Sequence, residues 1–141
     1  MVHALDKTRS YLRPNGIVLN VHDLPRPPRI EIHSRHGEFF AGYLLSNNDF
    51  EDQRLADKAL VQVAEHGLFS SIEEHLFNYQ ITADTFAELQ DLLSDAWDDC
   101  YLPAGTGRRI QDLLSSAEGE ARIVLVMSAR LTILRTSRVG E

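Results

Sequence analysis

The order of hydrophobic patterns predicts an α/β fold (α+β-like): a mixed sheet of about five strands with helices packed on it and an inserted β-hairpin. Three observations carry this expectation. Ile17-Val18-Leu19 with Val21 is a nearly unbroken apolar run, as in a strand covered on both faces. Two alternating segments flank His36-Gly37, a hairpin pattern. Amphipathic helical segments separate the later strand candidates.

Taken in order, residues 1–13 form a short helix with Leu5, Thr8, Arg9 and Leu12 at helical spacing. Pro14 stops it, because proline disfavours helix at Arg13. Asn15-Gly16 tolerates positive φ and reverses the chain into a strand at 17–23. Leu24-Pro25-Arg26-Pro27-Pro28 is a stiff connector. In the hairpin, residues 29–35 return through His36-Gly37 into 38–45, with Ile30 and Ile32 on one face and Phe40 or Phe39 opposite according to register. Ser46-Asn47-Asn48-Asp49 offers N-caps to a helix from Phe50 to Glu65, whose apolar stripe is Leu55, Leu60 and Val63. His66-Gly67 ends that helix, and Leu68-Phe69 lands on the core.

A strand follows over Ile72–Ile81. Thr82-Ala83-Asp84-Thr85 caps a helix from about Phe86 to Cys100, with Leu89, Leu92, Leu93 and Trp97 inward and Asp91, Asp95, Asp98 and Asp99 on the wetter side. A loop over 102–107 leads to a short helix from Arg108 to Ser116. A long strand pattern closes the chain from Ala121 to Thr136, with a bend or bulge expected at Ser128-Ala129-Arg130.

The totals bound the function. A chain of 141 residues, 43% hydrophobic and 25% charged, is read as one globular domain, 1–141, with room for a real core. A net charge of −7 argues against a polyanion-binding surface, so no nucleic-acid partner is expected. Cys100 is the one cysteine, which rules out an internal disulfide and a cysteine metal cluster. No run approaches a membrane span and no signal segment opens the chain, so no membrane partner is expected and the default localisation is cytoplasmic.

The chemistry-bearing residues are few. His22 and Asp23 stand at the carboxyl end of the first strand, where open α/β sheets place ligands. They are the candidates for proton transfer, and with Tyr43 for a small-ligand cleft; a surface or capping role is the alternative. Neighbours on a strand face opposite ways, so the two are not expected to bond each other. His33 and His36 flank a turn but lack an evident carboxylate or cysteine partner, so no metal centre is expected. Aspartates beside Cys100 disfavour its thiolate. No Gly-x-Ser-x-Gly elbow occurs.

Leu12-Arg13-Pro14-Asn15-Gly16, feeding an apolar strand, resembles the Leu-Arg/Lys-Pro-Gly-Gly turn before the fifth strand of class I S-adenosylmethionine-dependent methyltransferases. In that family a helix, a sixth strand, further helices and a seventh strand inserted antiparallel follow. Here Leu55–Glu65 with Gly67-Leu68-Phe69 is similar to the helix, Glu73–Ile81 to the sixth strand and Ala121–Thr136 to the seventh. Asn15 replaces a glycine, the hairpin is an insertion, and the family's Gly-x-Gly-x-Gly cofactor turn has no counterpart; Gly105-Thr106-Gly107 follows no strand. The resemblance therefore implies the back half of a Rossmann-like methyltransferase without its cofactor-binding front half. It implies that the lone chain is inactive and binds no cofactor, with S-adenosylmethionine held only if a partner chain completes the fold. A first strand without its usual neighbours has an exposed edge, so a homodimer or a completing partner is expected. The alternative is a non-enzymatic dimeric interaction or small-ligand-binding module.

Overall fold

The computed structural model describes residues 1–136. Its elements are α1 (Val2–Tyr11), β1 (Ile17–Asp23), β2 (Arg29–Ser34), β3 (Gly37–Tyr43), β4 (Leu45–Ser46), α2 (Glu51–Glu65), β5 (Ser71–Ala83), α3 (Phe86–Ala96), β6 (Cys100–Tyr101), α4 (Ala104–Ser116) and β7 (Ala121–Arg135). This is a mixed α/β fold, as expected, and it is built on mostly antiparallel strands. The chain divides into two compact units. Both long strands, β5 and β7, contribute one half to each.

The first unit holds Met1–Pro25, Glu51–Phe77 and residues 129–136. The turn ahead of β1 works as the sequence suggests, with its two residues sharing the task. Asn15 takes the left-handed conformation (φ 63°). Gly16 is needed for space: a Cβ there would sit 2.8 Å from the Arg13 carbonyl oxygen, which accepts the Gly16 N–H at 2.8 Å. β1 pairs antiparallel with β7, Val18 opposite Leu134, Asn20 opposite Thr132 and His22 opposite Arg130. β5 pairs with β7 as well, so within this unit β7 has β1 and β5 as partners. Under one face lies a small apolar cluster of Leu5, Leu60, Val63, Phe69 and Leu134. α2 ends as expected at Gly67 (φ 62°), whose N–H bonds the Ala64 carbonyl while Leu68 N–H bonds that of Val63.

Two expectations for this unit are corrected. β1 is not covered on both faces: Ile17, Leu19 and Val21 are 46%, 66% and 59% exposed. An apolar run reports burial on both faces only if something is packed on each. Leu55 is off the buried stripe and exposed, because the face of α2 that meets the core runs through Ala59, Leu60 and Val63.

The second unit holds Arg26–Phe50 and Asn78–Ser128. β2 pairs with β7 on one side and β3 on the other, both antiparallel. Its core gathers Ile30, Ile32, Leu44, Leu89, Ile110, Ile123 and Leu125, each at most 1% exposed. The hairpin register puts Phe39 opposite Ile32, with an irregularity between Ile30 and Glu31. Its two-residue turn is Arg35-His36, one position ahead of the expected pair, since Gly37 (φ 131°) already pairs with Ser34. Gly42 (φ 147°) lets α4 approach, because a Cβ there would meet Thr106 Oγ1 at 2.5 Å. α3 opens with a reciprocal cap: Thr85 Oγ1 accepts the Glu88 N–H at 3.1 Å, and Glu88 Oε2 accepts the Asp84 N–H at 2.7 Å.

Two boundaries in this unit differ from expectation, while the long last strand is as expected. α3 stops at Ala96, and Cys100-Tyr101 leave the helix to pair with β4. Of the expected 102–107 loop, residues 104–107 are instead the first turn of α4, whose N-cap is Pro103. β7 is one strand through Ser128-Ala129-Arg130, the point where its pairing passes from β2 to β1.

Candidate functional site

Two side-chain constellations stand out, one in each unit. In the first unit, strand periodicity turns Asn20 and His22 of β1, with Thr132 and Arg130 of β7, toward α2. α2 supplies Asp57, one turn before buried Leu60. Asp57 Oδ1 accepts from His22 Nε2 at 2.7 Å and from Arg130 Nη1 at 3.0 Å. His22 Nδ1 lies 3.1 Å from Asn20 Nδ2. Since the amide nitrogen can only donate, Nδ1 accepts and Nε2 carries the hydrogen given to Asp57. Both ring nitrogens are thereby engaged. Glu74 adds a looser ion pair to Arg130 at 3.9 Å. Gln53 Oε1, Arg130 Nε and Thr132 Oγ1 are buried with no hydrogen-bond partner among the described residues, which costs stability.

In the second unit the outward face of the hairpin carries Arg29, Glu31 and His33 of β2, and Glu38 of β3, which stands directly opposite His33. Glu31 bridges its neighbours: Oε1 accepts from Arg29 Nε at 3.0 Å and Oε2 from His33 Nε2 at 3.1 Å. Burial pushes the Glu31 carboxyl up, yet the hydrogen bonds from His33 and Arg29 and their charges hold it below its ordinary value. His33 Nδ1 is 4.0 Å from Glu38 Oε1, too far for a hydrogen bond. Arg29 also covers the Phe40 ring at 4.3 Å.

The residues singled out from the sequence are placed as follows. His22 is packed under α2 with both ring nitrogens occupied, so as placed it offers no free nitrogen for proton transfer. Asp23 follows it on the opposite face of β1, as strand geometry requires. Tyr43 belongs to the second unit, half exposed, its ring edge-on to Phe40. His33 gains the carboxylate neighbours that sequence reading did not assign to it, whereas His36 lies near Glu118 at 3.8 Å. Gly105 and Gly107 lie in the first turn of α4. The Cys100 thiol is pushed up to about 11, by burial first and then by Asp99, which it faces at 3.7 Å. Asp57, Arg130, Glu31 and Glu38 were missed. Glu31 and His33 at i and i+2 on a strand share a face, and hairpin register sets Glu38 against them; that signal was present.

The first unit has a third feature. On the face of β1 away from α2, Ile17, Leu19 and Val21 are exposed, and Leu19 and Val21 stand opposite Ile133 and Leu131 of β7. β1 has β7 as its strand partner, so its other edge has no strand beside it among the described residues. No helix of the described residues is long and apolar enough to cross a membrane. Compared with protein-family models, curated proteins and solved structures, the chain matches none.

Proposed function

We propose that the chain is a non-enzymatic interaction module that associates with a second copy of itself along β1. The observation that carries this reading is the bare edge and open apolar face of one strand. Edge strands are normally guarded by lysine, proline or a bulge, and Ile17-Val18-Leu19-Asn20-Val21 has none of these. The strand is also its own complement. Paired antiparallel across a two-fold axis at Leu19, it sets Ile17 of each copy against Val21 of the other and keeps Ile17, Leu19 and Val21 of both copies on one face. The arrangement extends the sheet and shields Leu19, the most exposed of the three.

Sedimentation velocity over a dilution series tests it. The native chain is expected to run as a dimer at micromolar concentration and Leu19→Lys as a monomer, while Tyr11→Lys, on exposed α1, leaves the dimer intact. A native monomer at tens of micromolar, or a dimer indifferent to Leu19→Lys, overturns the proposal.

A second reading is a methyltransferase-like domain that a partner chain completes. Its support is that β7 has β1 and β5 as its partners within the first unit and runs antiparallel to β1, behind the Leu12–Gly16 turn. This reading expects the lone chain to give no saturable heat with S-adenosylmethionine up to about 1 mM, a ceiling of about −4 kcal/mol on binding. Saturable binding by the lone chain would refute the missing-half account.

A further inference from the structure

We propose that Glu31, His33 and Glu38 form a binding site for a first-row divalent cation of the zinc type on the outer face of the β2–β3 hairpin. Each residue offers one donor atom, and the three atoms all lie within 4.8 Å of one another. Metal–ligand bonds of about 2.0–2.2 Å place neighbouring donors roughly 3–4 Å apart, so a small inward movement closes the set. The residue able to make it is Glu38, 69% exposed, whereas Glu31 and His33 are held at 13% and 21%.

His33 shows different ring nitrogens to its neighbours, Nε2 to Glu31 Oε2 at 3.1 Å and Nδ1 to Glu38 Oε1 at 4.0 Å, so an ion held on Nε2 takes the place of the hydrogen now shared with Glu31 while Glu38 swings in to complete the set. Arg29 fixes one oxygen of Glu31, the way an outer partner orients a ligating carboxylate, and leaves the other oxygen beside the ring. Two carboxylates with one Arg29 charge leave a net negative site, and an imidazole with two carboxylates suits zinc, cobalt or manganese better than a soft monovalent ion. The ion would clip both strands of the hairpin close to its turn. The proposal does not depend on how the first unit associates, since every ligand lies in the second.

Calorimetric titration of the untagged chain with Zn2+, repeated with Co2+ to read its visible spectrum, tests the site. One saturable site in the micromolar range is expected. Glu38→Gln, an exposed change that leaves the fold alone, should weaken it at least tenfold, and His33→Ala should abolish it. His36→Ala, at the neighbouring turn, should leave it unchanged. No saturable uptake up to a millimolar, or uptake that survives Glu38→Gln or is lost in His36→Ala, overturns the proposal.

Discussion

The two units differ in what lies against their strands. The second buries seven large aliphatic side chains to 1% exposure or less beneath β2 and β7. The first shares its α2 face between a smaller apolar cluster and the polar layer of Asn20, His22, Asp57 and Arg130, while Ile17, Leu19 and Val21 face solvent on the other side. Burial of apolar surface is the main favourable contribution to folding, and a polar layer contributes only when every member is paired. The second unit is thus the part that holds itself together. The first leaves Ile17, Leu19 and Val21 open to solvent, and that surface is where association is proposed.

Equal truncations in the two units should have very different costs. Ile123→Ala, at 0% exposure in the second unit, is expected to cost about 2–5 kcal/mol. Leu19→Ala, exposed on β1, should cost the monomer no more than about 0.5 kcal/mol. Urea melts of the two variants at concentrations below any dimer threshold decide it. Equal losses would mean that β1 is covered within one chain.

A smaller effect is expected inside the polar layer. Asp57→Ala removes the acceptor of both His22 and Arg130 and leaves their donors partly buried, at about 1–3 kcal/mol. Asp57→Asn, which keeps an oxygen in place, should recover part of this. A neutral Asp57→Ala in chemical denaturation would show that the two donors reach water instead.

The smallest effect concerns Cys100. Its thiol is raised from 9.0 to about 11, so the reactive thiolate is scarce near neutrality, and a disulfide reagent at pH 8 should label the folded chain far more slowly than the unfolded one. The linkage has one sign. A folded-state value above the unfolded one gives stability that is complete below about pH 9 and is lost as pH rises through about 11. Rapid labelling of the native chain would show a thiol more open to solvent and farther from Asp99 than described.

Much of the fold was legible because local chemistry dictates it. Pro14 and Asn15-Gly16 set the start of β1, Gly67 the end of α2, and Thr85 with Glu88 the start of α3, through backbone preferences that operate within a few residues. The start of α4 was missed because Gly105 and Gly107 read as loop, although contacts such as Thr106 against Gly42 hold that turn in a helix. The Glu31–His33 pair was legible in part, as alternate residues on one strand. The His22 environment was not, because Asp57 is 35 residues away and Arg130 lies on β7.

Local sequence set most of the turns, the main helices and strands, and the apolar strand that follows the Leu12–Gly16 turn. Long-range packing settled which strands became neighbours and which faces were covered. A period-two or period-3.6 pattern marks a face as apolar, but whether that face meets a helix, a second strand or water depends on residues far away in the chain. For that reason Val18 and Leu19, adjacent and both apolar, came to opposite ends: one packed beside Leu134, the other left open.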